Sequence, residues 1–131
     1  MRKFVFNKLV RDKIVEQQQK GGAKVEHRIL DDREYLTALK AKLLEEASEM
    51  ELEDEDKLVA ELADLQEVID CILETIGKSK KDVALAQAKK NDKAGSFKKR
   101  IYISSVTVQD EDPWVEYYQK NSDRYPEVKI S

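Results

Sequence analysis

Four acidic residues stand where a pair of helices should be apolar. Glu46 and Glu49 form one i, i+3 pair and Glu61 and Asp64 form another, with Glu45 beside the first. On a helix advancing about 100° per residue, Leu36, Leu39, Leu43, Ala47 and Met50 make an apolar stripe, and Glu46 projects within about 20° of Leu39. In the segment that follows, Leu58, Leu62, Leu65, Val68, Ile69, Ile72 and Ile76 make a second stripe, and Glu61 falls between the directions of Val68 and Ile72, with Asp64 on its flank. Carboxylates on faces that should pack together need compensation, because a buried charge without a partner is strongly unfavourable. Either they bind hard cations or the helices turn these faces to water; the first is the expectation pursued here.

An all-oxygen ligand set suits Mg²⁺, with Mn²⁺ able to substitute, whereas zinc or copper centres draw on His or Cys. The only histidine, His27, has no second such ligand near it and reads as a structural or surface residue. A ferritin-like di-iron centre requires Glu-x-x-His pairs, and the chain has none. Carboxylates holding one or more Mg²⁺ could bridge a polyphosphate and activate water for in-line attack on phosphorus. Cations would then hold the outgoing phosphates, and Lys8, Arg11, Lys93, Lys98, Lys99 and Arg100 are the candidates.

The elements that must position these groups are mostly helical. Residues 7–20 read as a helix with Leu9, Val10, Ile14 and Val15 on one side, ended by Gly21 and Gly22. Asp31 with Glu34 is a capping box opening a second helix that runs to about residue 51 or 53, and the acids 53–56 lead into a third, expected over residues 56–76 with Gly77 beyond it. Ser79 with Asp82 opens a fourth, to about Lys93, stopped by Gly95. Residues 24–30 and 98–108 suggest short extended segments, the second because it is β-branched and aromatic. The tail, with Trp114, Tyr117, Tyr118 and Tyr125, is too aromatic to be purely disordered and is expected to pack as a short helix on the body or on a partner subunit.

Length and charge bound the rest. With 131 residues, 40% of them hydrophobic, the chain suits one globular domain. The 24 basic and 27 acidic residues leave a net charge of only −3, so there is no overall electrostatic case for a nucleic-acid polymer or a membrane surface. No apolar run approaches the roughly 18 residues of a membrane span, and the start lacks an apolar signal region. The single cysteine, Cys71, excludes an internal disulfide and fits a reducing compartment, so a cytoplasmic protein is expected.

The motifs together resemble a family. EExxE at Glu45, Glu46 and Glu49, followed by ExxD at Glu61 and Asp64, is similar to the metal-binding signature of the all-α nucleoside triphosphate pyrophosphatases, the MazG-like and phosphoribosyl-ATP pyrophosphohydrolase-like proteins. NKLVRDKI, residues 7–14, resembles an N-terminal YNKLVRDKIP element of one branch, and KAGSFKKRIYI, residues 93–103, its closing KRGGFxKRIxL element. The resemblance implies a four- to five-helix bundle over residues 1–108, followed by an aromatic extension over 109–131. It also implies Mg²⁺-dependent cleavage between the α and β phosphates of a nucleotide. By position Glu46, Glu49, Glu61 and Asp64 would be the metal ligands, and Glu45 would orient water or metal. Family members complete their sites by packing as dimers or tetramers, so a homodimer or homotetramer is expected. The chain departs from the pattern at Val15, where proline is usual, at Ala94, where arginine is frequent, and at Ser96, which replaces glycine. Three alternatives accompany this reading: the phosphoribosyl-ATP pyrophosphohydrolase of histidine biosynthesis, a family member without activity, and a charged helical interaction module with no enzymatic role.

Overall fold

A computed structural model describes residues 1–130 and is mostly helical, with α1 (Ile14–Lys20), α2 (Asp32–Ser48), α3 (Glu55–Thr75), α4 (Lys80–Ala94) and α5 (Trp114–Lys120) in chain order. Among the described residues there is no strand, and no helix is long and apolar enough to cross a membrane. The chain divides into two compact units, Met1–Lys93 and Ala94–Ser131.

The first unit is built on a hairpin of α2 and α3. Its helix ends are set by local chemistry legible in the sequence. Asp31 caps α2 by accepting from the Glu34 amide at 2.9 Å, and Asp54 caps α3 by accepting from the Lys57 amide at 3.1 Å. Helix α3 closes in a Schellman motif: the Lys78 amide donates to the Leu73 carbonyl at 2.9 Å and the Gly77 amide to that of Glu74 at 3.2 Å, with Gly77 at φ 70°. Ser79 and Asp82 satisfy each other at the start of α4, as the capping box requires.

Between α2 and α3, Leu39, Val68 and Leu73 are buried, and Leu36, Leu43, Met50, Leu58, Leu65 and Ile72 are half-buried. The apolar stripe of α3 is wider than one neighbouring helix covers, because Leu62, Ile69 and Ile76 remain exposed, and so does Ala47 on α2. Every residue of α4 is exposed.

Three boundaries differ from expectation. Residues 7–13 are not helical; the chain is non-helical from Asn7, at φ 45°, until α1 begins at Ile14. In this segment Lys8 pairs with Glu45 of α2 and Arg11 with Asp64 of α3. Helix α2 stops at Ser48, with tightened turns from the Glu49 amide to the Glu46 carbonyl and from the Met50 amide to that of Ala47. Residues 24–30 and 98–108 form no strand, since neither finds a partner ladder within the chain.

In the second unit α5 is the expected short helix. It gathers the aromatic tail into a local cluster, with ring centroids 5.5 Å apart for Trp114 and Tyr117, 5.1 Å for Tyr118 and Tyr125, and 5.8 Å for Tyr117 and Tyr125.

Candidate metal centre

The hairpin brings three of the predicted acids together. Glu46 from α2 and Glu61 and Asp64 from α3 each offer a carboxylate oxygen, and these oxygens lie within 4.8 Å of one another. Helical geometry explains the convergence: Glu46 is one heptad after Leu39, the most deeply buried core residue at 3% exposure, and is itself only 8% exposed. Glu61 is likewise one heptad before buried Val68, and Asp64 one turn further along α3.

Three cations partly neutralise the group. Lys42, one turn before the first acids, lies 3.1 Å from Glu45 and 3.5 Å from Glu46. Lys8 binds Glu45 at 2.8 Å, and the Arg11 guanidinium binds Asp64 at 2.5 Å. The hydrogen bond from Lys8, then that from Lys42, holds the Glu45 carboxyl below the usual range. The same contacts raise Lys8 and Arg11, chiefly through their bonds to Glu45 and Asp64.

Glu61 has no such help. Its Oε2 is buried without a hydrogen-bond partner among the described residues. Burial first, then the proximity and charge of Glu46 and the charges of Glu49 and Asp64, push its pKa up. A buried carboxylate oxygen facing two other carboxylates, with no donor of its own, has the chemistry of a ligand to a hard cation.

The remaining predicted residues are placed as follows. Glu49 stands at the C-cap of α2, exposed and outside the close group. Glu45 faces the cations Lys8 and Lys42. Lys93 is exposed near the end of α4, and Lys98 and Arg100 are exposed residues of the second unit, in a turn where the Arg100 amide donates to the Phe97 carbonyl at 3.0 Å and Arg100 itself has φ 60°. Lys42 escaped the sequence reading, although its i+3 and i+4 spacing to Glu45 and Glu46 was the signal. Comparison of the chain with protein families, with curated proteins and with solved structures finds no match.

Proposed function

We propose that this protein is a Mg²⁺-dependent nucleotide pyrophosphohydrolase that cleaves a nucleoside triphosphate or related nucleotide between its α and β phosphates. The observation that carries the proposal is the Glu46, Glu61, Asp64 group with its unpartnered, buried Glu61 Oε2. The donor set fits the metal, because it is all carboxylate oxygen and has no soft ligand in it.

Glu46, Glu61 and Asp64 would hold the cation, with Glu49 joining if the end of α2 extends by a turn. The ion supplies charge to the phosphates and makes water nucleophilic at neutral pH. Glu45, kept anionic by Lys8 and Lys42, accepts a hydrogen bond from the attacking water and sets its direction. Lys8 and Arg11 are the cations nearest the acids, and a polyphosphate entering there would exchange their carboxylate partners for phosphate oxygens. Lys93, Lys98 and Arg100 enter as phosphate contacts on the family resemblance alone. The water oxygen bonds to phosphorus as the bond to the bridging oxygen breaks, leaving monophosphate and pyrophosphate.

A homodimer or homotetramer is part of the proposal. Exposed Leu44, Leu62, Ile69, Ile76, Val83 and Leu85 on α2, α3 and α4 leave more apolar surface on separate elements than a lone hairpin can cover, which supports packing between copies. Phosphoribosyl-ATP would engage the same acids, so only the substrate distinguishes that variant of the reading. The non-enzymatic module has one observation in its favour, the ion pairs that already engage Glu45, Glu46 and Asp64, and one against it, the orphaned oxygen of Glu61.

The test is product analysis by ion-exchange chromatography after incubation with ordinary and modified nucleoside triphosphates and phosphoribosyl-ATP, each with Mg²⁺, Mn²⁺ or EDTA. Monophosphate and pyrophosphate formed only with the metal support the proposal. Absence of turnover, with no metal-induced rise in melting temperature, would favour the interaction module.

A further inference from the structure

Residues 101–109, IYISSVTVQ, combine strong β-forming composition with complete absence of charge, proline and glycine. They nevertheless form neither helix nor strand, and among the described residues none of their backbone amides donates a hydrogen bond. Most of their apolar side chains are open to water: Ile101, Ile103 and Val106 are exposed, Tyr102 is 90% exposed, and Val108 is half-buried. Turns bound the run at both ends, one closed by the Arg100 amide on the Phe97 carbonyl and the other by the Asp112 amide on the Gln109 carbonyl at 3.0 Å. A free edge of this kind is a template for another strand.

The flanking charges say which strand fits. Lys98, Lys99 and Arg100 precede the run and Asp110, Glu111 and Asp112 follow it. Laid antiparallel against a second copy of itself with Ser105 opposite Ser105, the run brings the turn that carries Lys98, Lys99 and Arg100, at each end, to the partner copy's turn that carries Asp110, Glu111 and Asp112. Between them Tyr102 faces Val108 and Ile103 faces Thr107, an aromatic with β-branched pair and a β-branched pair, both favourable across strands. A parallel in-register pairing would stack the three cations on their own copies, and an antiparallel slip of two residues would misalign both charged ends. Orientation, register and partner are therefore all selected by one sequence.

We propose that residues 101–109 pair with the same residues of a second copy as an antiparallel two-stranded ladder about a two-fold axis at Ser105, clamped at each end by the 98–100 and 110–112 charges. The partner is a second copy of this chain, because the pattern is self-complementary. The ladder uses the second unit only and needs neither the acidic centre nor its metal; Lys98 and Arg100, placed above as phosphate contacts on the family resemblance alone, serve here as clamp residues, and the test reads cross-linking and not hydrolysis. A two-stranded ribbon alone is marginal in water, so the charged clamps carry much of the specificity and the association weakens with salt.

Disulfide trapping tests it on the full chain with Cys71→Ser to remove the native thiol. Ser105→Cys places two thiols opposite each other across the axis, whereas Ile101→Cys leaves them about 27 Å apart along the ladder. With oxidised glutathione, Ser105→Cys is expected to form covalent dimer at least about tenfold faster than Ile101→Cys, since only the former meets the distance limit of a disulfide. Into the Ser105→Cys protein one then introduces either Lys98→Glu, Lys99→Glu and Arg100→Glu together, or Asp110→Lys, Glu111→Lys and Asp112→Lys together. Each triple variant alone is expected to lose the cross-link, and an equimolar mixture of the two to regain it as a heterodimer. All substitutions but Cys71→Ser lie outside the helices, and only Asp112→Lys touches a helix end, where Asp112 accepts from the Trp114 amide at 2.8 Å, so far-ultraviolet helicity unchanged outside the seven residues of α5 verifies folding. Equal rates for the two cysteine positions, or failure of the mixture to recover the cross-link, would overturn the ladder whatever the outcome for nucleotide hydrolysis.

Discussion

Replacing Glu61 with glutamine tests the acidic centre through stability as well as activity. The Glu61 carboxyl has its pKa raised by burial and by the neighbouring acids, so the folded state holds its proton more tightly than the unfolded state does. The sign follows: this group favours folding below its unfolded pKa, and that contribution is lost as pH rises through the raised folded value. Without metal, Glu61→Gln is therefore expected to melt above the wild type at pH 7, with the difference shrinking as pH falls through the raised folded value towards the unfolded one. Metal reverses the order. A cation that binds only the folded chain, at ten times its dissociation constant, stabilises by about 1.4 kcal/mol. For a folding unit of this size that raises the melting temperature by roughly 6–11 °C. The Glu61→Gln protein lacks one of the three charged ligands, and a tenfold weaker site at the same metal concentration yields only about 0.4 kcal/mol, or roughly 2–3 °C. Circular-dichroism melts of both proteins over pH 4–8, with Mg²⁺, Mn²⁺ or EDTA, read all these differences. Equal metal-induced shifts in the two proteins, or a metal-free Glu61→Gln that melts below the wild type at pH 7, would refute the reasoning.

Other outcomes follow from the same geometry. Lys42→Met removes the cation between Glu45 and Glu46 and leaves buried Glu46 without its partner; urea unfolding at pH 7 should show a loss of about 1–3 kcal/mol, recovered in part by added Mn²⁺. Leu39→Ala empties the most buried position of the hairpin and should cost about 2–5 kcal/mol, enough to show as lost helicity at ambient temperature. Gly77→Ala forces a Cβ into the left-handed region at φ 70° and should cost about 1–2 kcal/mol by urea titration. Arg28 holds Glu34 below its usual pKa, so the pair favours folding above the unfolded carboxyl pKa and fades as pH falls through the lowered value; Arg28→Gln should flatten the acid limb of the melting curve between pH 5 and 3, as double-mutant melts with Glu34→Gln would show.

The parts of the fold legible in the sequence are those decided locally. Asp31, Asp54, Ser79 with Asp82, and Gly77 fix helix ends through bonds within a few residues, and α3 and α4 form close to their expected limits while α2 starts where expected and ends three or more residues early. The convergence of Glu46, Glu61 and Asp64 was also legible, because a heptad offset from Leu39 and Val68 puts an acid on the packing face whatever the rest of the chain does. What periodicity missed depends on distant partners. Residues 7–13 have helical spacing but are not helical, and their ion pairs to α2 and α3 join residues 37 and 53 positions apart, which no periodicity reveals. Residues 98–108 have strand composition, but a strand needs a ladder and none is present among the described residues. Glu49 keeps its i+3 spacing to Glu46 and its charge reaches Glu61, but it stands exposed at the C-cap of α2 and outside the close group of three.

The position of Glu46 links binding to folding. A hairpin whose buried apolar residues are Leu39, Val68 and Leu73 has little hydrophobic stability to spare, and a leucine at position 46 would extend the core by one more turn. Lys42, Lys8 and Arg11 offset the acids, but each does so from a flexible, partly exposed side chain that a stronger cation or a phosphate can displace. None of the three reaches Glu61 Oε2, so the compensation is incomplete where the two helices meet. A hard cation in that position would satisfy the orphaned oxygen, screen three like charges and tie α2 to α3 in one step. Metal affinity and the packing of the hairpin are then one equilibrium, and substitutions that loosen the α2–α3 contact far from the acids, Leu73→Ala among them, should weaken Mn²⁺ binding in proportion to the stability they remove.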